Sequence, residues 1–345
     1  MDYESNNEND DAVTIHDVAA TARVSPSTVS RVLNGHATVN PVLAARVRDA
    51  ARTLGYRPNA VARSLRRKVA AVWALVISDI QNPFFTSLVR GVEDVANAQG
   101  CSVVLCNSDE DLKKERRYME VAVAERMSGV ILSAASSTDS DIGVLRRASI
   151  PVVAIDRRIL ADNVDTVLVD NRAGAQMAVA ELLGQGRTRI ACITGPRRVS
   201  SAVERLEGYR NGLKSAGAAL DDQLVQMADF KRKGGYQATV ALMALDEPPD
   251  AIFVANNLMT IGALEALWDM GIDSPATVAV LGFDDLPWAA VTSGSVASVA
   301  QPTYELGRLA ATMLVERRTT PNMAPRTVVL QPSLARHPGA RRAEQ

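Results

Sequence analysis

VSPSTVSRVLNG, residues 24–35, settles how the amino-terminal part of this chain is read. Ser25 stands where a side-chain oxygen can cap a helix, and Pro26 occupies the first helical position, where a missing N–H costs nothing. Val29, Val32 and Leu33 then recur at helical spacing and make a buried face. Pro26, Ser27, Thr28, Ser30 and Arg31 are left facing outward. Upstream, Thr14 is placed to cap IHDVAATA, in which Ile15, Val18, Ala19 and Ala22 form one apolar stripe. Only Arg23 and Val24 separate these two helices, a turn short enough to force a steep crossing, and the pair reads as a helix-turn-helix. Asn40-Pro41 repeats the capping device for VLAARVRDAARTLG, whose Leu43, Val47, Ala50, Ala51 and Leu54 keep helical spacing until Gly55 ends it.

Charge supports a special role for this head. The whole chain of 345 residues has a formal net charge of −1, with 47% apolar and 22% charged residues, as expected of an ordinary globular protein of two or three folding units. Between Thr14 and Lys68, however, ten bases face two acids, a local charge of +8. Residues 69–345 carry −4, so the basic head predicts a polyanion partner for itself alone. Residues 1–13 hold five acids and no base. They read as a disordered acidic tail, without the basic start and apolar middle of a secretory signal.

Several functional classes fit poorly. The longest apolar run, VAAVWALVI at 69–77, is about half of the roughly 20 residues that a membrane helix needs, so it is read as a buried strand and no membrane partner is expected. Cys101, Cys106 and Cys192 form no CxxC spacing, which argues against a disulfide framework or thiolate zinc site and suits a reducing cytoplasm. His16, His36 and His337 are scattered, with no nucleophile–base pair or metal-ligand cluster. There is no GxxxxGK[ST], and GQGRTRI at 184–190 precedes a strand instead of following one, so its glycines are wrongly placed to receive a pyrophosphate. The expectation is a non-enzyme with no cofactor and no metal.

From residue 69 onward apolar runs alternate with helical stretches: AVWALVIS, SVVLCN, GVILSA, PVVAID, TVLVD, RIACITG, AIFVAN, VAVLGFD, SVASVA and TVVLQP. Near-continuous apolarity predicts parallel strands buried on both faces, in an α/β body too large for one comfortable sheet domain. Two lobes follow. Polar or aromatic residues close the runs with regularity: Asn82, Phe84 and Phe85, then Asp156, then Phe230 after VQMAD, then Asn256 and Asn257, then Asp284 and Asp285. Open parallel sheets bind ligands beyond the carboxyl ends of their strands. Such a cleft suits a polyol, with carboxylates and amides pairing hydroxyls, Arg205 adding a two-pronged donor and Phe84 or Phe230 covering a ring face.

In the head, the second helix is set to enter a DNA major groove. Arg31 is the expected base reader, through two hydrogen bonds to guanine. Ser25, Thr28, Ser30 and Asn34, with the helix N-termini at Thr14 and Asn40, are expected on phosphates. Beyond Pro58-Asn59, AVARSL is too short to be a stable helix alone, since isolated helices need roughly 12 to 15 residues. Leu65 in that segment is an apolar wedge able to enter a minor-groove step. Thr38, Asn59 and Ala62 complete the DNA-facing set. The competing readings are a solvated helix face in an interaction module and a plain linker.

TIHDVAATARVSPSTVSRVLNG with LGYRPNAVARSLRR resembles the head and hinge of the lactose-repressor (LacI/GalR) family of bacterial transcription regulators. NPFF (82–85), RLEGYRNGL (205–213), ANNLMTIGAL (255–264), VLGFDDL (280–286) and QP (301–302) extend the likeness over nearly the whole chain after residue 13. The resemblance implies a helix-turn-helix head at 14–57 and a hinge helix and linker at 58–68. Beyond these it implies a body of two Rossmann-like lobes of the periplasmic-binding-protein type, here expected at 69–158 with 302–331 and at 159–301 with 332–338. It carries Asp156, Arg205, Phe230, Asn256, Asp284, Ser201 and Gln301 over as contacts to a small sugar-like effector. Many relatives have Asp where this chain has Asn257. With Arg157, Arg158, Arg197 and Arg198 close by in sequence, an acidic sugar derivative stays open as the ligand.

The functional expectation is a homodimeric, effector-responsive regulator on a near-palindromic double-stranded operator. The eleven residues after Leu334 are too few for a coiled coil, so no tetramer through that tail is expected. The rival is a soluble solute-binding protein, which would share the body but has no use for a basic head.

Overall fold

The computed structural model describes residues 13–33, 39–56, 71–161, 164–285 and 296–337. The expectations for the acidic tail before residue 13, for Asn34 and Thr38, and for the hinge with Asn59, Ala62 and Leu65 lie outside the described residues. The chain divides into two units, Met1–Val69 and Ala70–Gln345.

The first unit contains α1 (Ile15–Ala22), α2 (Pro26–Leu33) and α3 (Pro41–Thr53). Each starts as the capping chemistry requires. Thr14 and Asp17 form a reciprocal capping box on α1, the Ser25 hydroxyl accepts from the Thr28 N–H at 3.2 Å, and Asn40 Oδ1 accepts from the Val42 N–H at 2.9 Å. Arg23 takes the left-handed conformation, φ 51°, to make the two-residue turn. Gly55 takes it just past α3, φ 65°, where a side chain would be strained. Val18, Ala19, Ala22, Val29, Val32, Val47, Ala50 and Ala51 form the core. Leu43, expected inward, is only half-buried, and Ala44 takes its place, since 44, 47 and 51 lie on one line of the helix. Arg46 is engaged within the head: its guanidinium donates to the Ala22 and Arg23 carbonyls at the end of α1.

The second unit holds β1 (Val72–Ile77), α4 (Phe84–Ala98), β2 (Ser102–Asn107), α5 (Leu112–Ala124), β3 (Gly129–Leu132), α6 (Gly143–Arg147), β4 (Val152–Ile155) and β5 (Asp165–Val169), followed by α7 (Asn171–Gly184), β6 (Ile190–Thr194), α8 (Ser200–Ser215) and β7 (Val225–Met227). Then come α9 (Arg232–Met243), β8 (Ala251–Val254), α10 (Asn257–Asp269), β9 (Ala279–Phe283), β10 (Val296–Ala300), α11 (Thr303–Thr319), β11 (Thr327–Leu330) and β12 (Ser333–His337). They build two six-stranded sheets, β11-β5-β4-β3-β1-β2 and β12-β10-β9-β8-β6-β7. All pairings are parallel except β10 with β12. That antiparallel edge strand, SLARH, was not among the expected runs, because its alternation with polar residues hides it.

Alternation across the strands explains the unbroken apolar runs. Trp73, Leu75 and Ile77 of β1 pack with Leu88, Val92, Leu306 and Leu314 from α4 and α11, whereas Ala74 and Val76 pack with Met119, Ala122 and Leu145 on the opposite face. In the second sheet Ala191 and Ile193 of β6 face Leu242, Met259 and Leu267, and Ile190 and Cys192 face Val179, Tyr209 and Leu213. Full burial of each large apolar side chain contributes roughly 1.5–3 kcal/mol.

One expected boundary is wrong. A first lobe ending at 158 leaves TVLVD to the second lobe, but β5 lies in the first sheet between β4 and β11. The buried carboxylate of Asp165 is the reason. Arg317 of α11 grips it with two hydrogen bonds of 2.9 Å, and the Arg326 backbone N–H adds a third at 2.9 Å. A buried charge must be paired, and these partners exist only beside the first sheet. The chain therefore passes between sheets after Val169, after Ala300 and after Leu330.

Candidate functional site

The carboxyl ends of both sheets meet at one cleft with about 390 Å³ of space free of protein atoms, part of it open to solvent. Phe84, Asp156, Ser201, Arg205, Phe230, Asn256, Asp284 and Gln301, the eight side chains expected at a ligand, all line it. Three of them, Asp156, Phe230 and Asp284, have φ of 68°, 63° and 74°. Non-glycine residues in that region cost of order 1–3 kcal/mol each and persist where the surroundings impose them, often at binding sites. Each sits at a strand end or just beyond one. Gly195 makes room here, because a Cβ at that position would overlap the Phe230 ring.

Arg205, on α8, is the centre of the arrangement and only 3% exposed. Its Nε donates to Asn171 Oδ1 at 2.8 Å and its Nη1 to the Ala255 carbonyl at 2.7 Å, while its Cζ stands 3.8 Å from the centre of the Phe283 ring. Burial pulls its pKa down, against the nearby Asp284 and Asp156 charges. Burial conversely pushes the Asp156 and Asp284 carboxyls above the ordinary aspartate range, although Arg157 and Arg205 respectively oppose the shift. Ser133 Oγ donates to Asp156 at 3.2 Å, and the Gln301 amide donates to Asp284. The result is a preorganised row of two acceptors and a fork of donors, the groups that adjacent hydroxyls of a polyol require.

Other side chains shape the walls. Phe84 packs edge-on to Phe85 with ring centres 5.0 Å apart, and its N–H is held by Asn82 Oδ1 at 2.9 Å. Asn256 works as a helix cap: its Oδ1 accepts from the Met259 N–H at 2.9 Å and its Nδ2 donates to the Phe230 carbonyl at 3.0 Å. Asn257 is fully buried and donates across the cleft to Asn82 Oδ1 at 2.9 Å. Lys231 reaches across to Asp79, and the Arg157 guanidinium lies 5.7 Å from the Phe230 ring centre. Thus two consecutive residues, Phe230 and Lys231, touch the opposite lobe. Among the described residues no grouping could hold a metal ion, and no helix is long and apolar enough to cross a membrane.

Ser78, Asp79, Glu110 and Leu258 also line the cleft and escaped the sequence reading. Ser78 and Asp79 close the AVWALVIS run, and Glu110 lies just beyond SVVLCN, so the strand-end rule applied to every run would have found three of the four. Arg158 is turned to Glu204 instead, and neither it nor Arg197 nor Arg198 lines the cleft.

In the head, Ser27 and Arg31 are exposed on α2, Ser25 is exposed before it, and Pro26, Thr28 and Ser30 are half-buried. Ser25 and Asn40 stand at helix starts with no acid in the first turn. Thr14 differs. Its backbone N–H and hydroxyl already donate to Asp17 Oδ2, at 2.7 and 2.6 Å, and these bonds hold the Asp17 carboxyl below its usual range.

Comparison with known proteins matches residues 14–59 to the family described as bacterial regulatory proteins, lacI family, and residues 70–335 to periplasmic binding proteins and sugar binding domain of LacI family. The chain is 34% identical over 322 residues to the ribose operon repressor of Escherichia coli (strain K12), covering 93% of this chain and 98% of that protein. It is 32% identical over 305 residues to catabolite control protein A of Priestia megaterium, covering 88% and 92%. Among solved structures, it is similar to a transcriptional regulator CelR-cellobiose complex, with a TM-score of 0.72, 33% identity and coverage of 95% and 100%. It is also similar to the lac repressor dimer bound to operator and the anti-inducer ONPF, with a TM-score of 0.82, 25% identity and coverage of 95% and 99%.

Proposed function

This chain belongs to the LacI family of bacterial regulatory proteins, and we propose that it is a transcription repressor that binds a near-palindromic operator as a homodimer and releases or tightens it when a sugar-like effector enters the cleft. The observation that carries the reading is the convergence of Asp156, Arg205 and Asp284 in one buried cleft, on a chain whose first unit is a helix-turn-helix with Arg31 outward.

On this reading α2 lies in the major groove, Arg31 reads a guanine, and the acid-free helix starts at Ser25 and Asn40 receive phosphates. Thr14 contributes less, because Asp17 already fills its donors. Two heads read two half-sites, with the segment containing Leu65 at the operator centre. The effector binds by pairing its hydroxyls with Asp156, Asp284 and Arg205 and laying a ring face on Phe84 or Phe230. It acts only through its difference in affinity between the two lobe arrangements.

The test is a thermal-shift screen of the full chain against sugars and their derivatives, followed by operator binding with any hit. A ligand at about 100 times its Kd adds roughly 2.7 kcal/mol of stability, well within reach of the method. A saturable shift that also changes operator affinity supports the reading. Purified protein with no preference for any genomic fragment over bulk competitor DNA, with or without ligand, refutes it.

A further inference from the structure

Arg157 follows Asp156 at the cleft and looks at first like a receptor for an anionic ligand. Both of its terminal nitrogens are already engaged. Nη1 and Nη2 donate in parallel to the two carboxylate oxygens of Glu110, each at 2.8 Å, Nη1 also donates to the Ala134 carbonyl at 2.9 Å, and Nε stands 3.4 Å from Asp156 Oδ2. The two side chains are 5% and 10% exposed. A two-pronged guanidinium–carboxylate pair of this kind is what a sugar acid would form on entering, but here the carboxylate comes from the chain itself.

The backbone is bent to deliver it. Asp109 and Glu110 both adopt left-handed φ, 53° and 62°, a conformation that successive non-glycine residues adopt only under constraint. The constraint is visible: Asn107 Nδ2 donates to Asp109 Oδ1 at 2.7 Å, Lys114 pairs with Asp109, and the Glu110 N–H donates to the Ser78 carbonyl at 3.1 Å. Glu110 and Arg157 both line the cleft. The other cationic fork, Arg205, lines the same cleft as Asp156 and Asp284, and Lys231 is held by Asp79. Four acidic side chains thus stand against two guanidiniums and one ammonium, so the cleft holds no excess of cations to attract an anion brought by the ligand.

We propose that Glu110 is a specificity-determining residue that occupies the anion position of Arg157 from within and so restricts the cleft to neutral polyols, excluding sugar acids and sugar phosphates. This deepens the reading of the cleft given above and rests on it. On this proposal the acidic ligand left open by the arginines near this cleft is disfavoured: Arg157 is an internal partner whose cationic face is turned toward Phe230 of the opposite lobe.

The experiment uses sodium formate as a carboxylate probe, with sodium chloride at equal ionic strength as the control, and reads the thermal unfolding of the full chain. Wild type should respond to the two salts alike. Glu110→Ala leaves a carboxylate-sized slot on the Arg157 fork, so it should gain a saturable, formate-specific rise in Tm, and adding Arg157→Gln should abolish that gain. A Glu110→Ala chain that folds only when formate is present reports the same filled slot. One that gains nothing from formate, folded or not, overturns the proposal, as does a formate-specific shift in wild type. A second measurement uses no variant: D-ribose against D-ribose 5-phosphate, and D-glucose against D-gluconate, on wild type. Stabilisation by the neutral member at least tenfold more sensitive than by its anionic partner supports the proposal, and the reverse order overturns it. The formate titration needs neither DNA nor effector, so its failure and a failure to bind operator are separate results.

Discussion

Arg31 and Arg205 are the same residue type on two helices, set in opposite environments. Arg31 stands exposed on α2. Arg205 is buried on α8, fixed by Asn171, the Ala255 carbonyl and the Phe283 face, with two aspartates in front of it. A side chain that meets a large polyanion can remain hydrated until the partner arrives, because the partner brings many charges and its own counterion release. One that must hold a small neutral molecule has few contacts to work with, so its donors are oriented and dried in advance. Removing the first should therefore change recognition alone, whereas removing the second should change the fold as well.

Arg205→Ala puts this contrast under the greatest strain. It removes the cation nearest Asp284 and leaves Asn171 Oδ1 and the Ala255 carbonyl without their buried donor, so a loss of about 2–4 kcal/mol is expected in urea unfolding. The loss should shrink at acid pH, where the Asp156 and Asp284 carboxyls become neutral. A loss independent of pH would mean that packing on Phe283, and not charge, is what Arg205 supplies. Next in size, Arg31→Ala should leave stability unchanged and cost about 1–3 kcal/mol of operator affinity at one half-site position. Equal weakening on every sequence would make Arg31 a phosphate contact.

Smaller effects refine the picture. Ser25→Ala should cost about 1 kcal/mol of head stability by removing the cap on α2, read as a lower melting point of the isolated amino-terminal transition. An unchanged transition would show that the cap is dispensable. The smallest effect belongs to Asp284→Asn, under about 1 kcal/mol in the ligand-free chain. Burial raises this carboxyl's pKa, so the folded state resists ionisation, and wild type loses stability as pH rises from the ordinary aspartate range toward the raised value. The asparagine variant should lack that loss and thus gain on wild type with rising pH, while losing ligand-induced stabilisation. A wild type that instead gains stability over that interval contradicts the sign of the shift.

How far the sequence could be read depends on how local each cause is. The caps at Thr14, Ser25 and Asn40, the turn at Arg23 and the stop at Gly55 are settled within a few residues, and the structure places them where the local chemistry requires. The strand ends of the cleft are legible by a rule of position, which marks Asp156, Phe230 and Asp284 and, extended to the first two strands, Asp79 and Glu110 as well. The lobe boundary was misplaced because TVLVD is equally apolar in either sheet. Its ladders to β4 and β11 and the grip of Arg317 on Asp165, 152 residues away in sequence, assign it to the first.

That a basic three-helix head precedes an α/β body, where the head's helices start, and most of the strands other than the edge strand SLARH can be read from the linear chain, since capping, periodicity and charge act over a few residues. Which strands share a sheet, that Arg46 serves the head's own backbone, and that Arg157 is occupied by Glu110, 47 positions before it, emerge only once the chain is folded. Electrostatic pairing in a buried site depends on distance in space, and a linear pattern of charges does not say which of them meet.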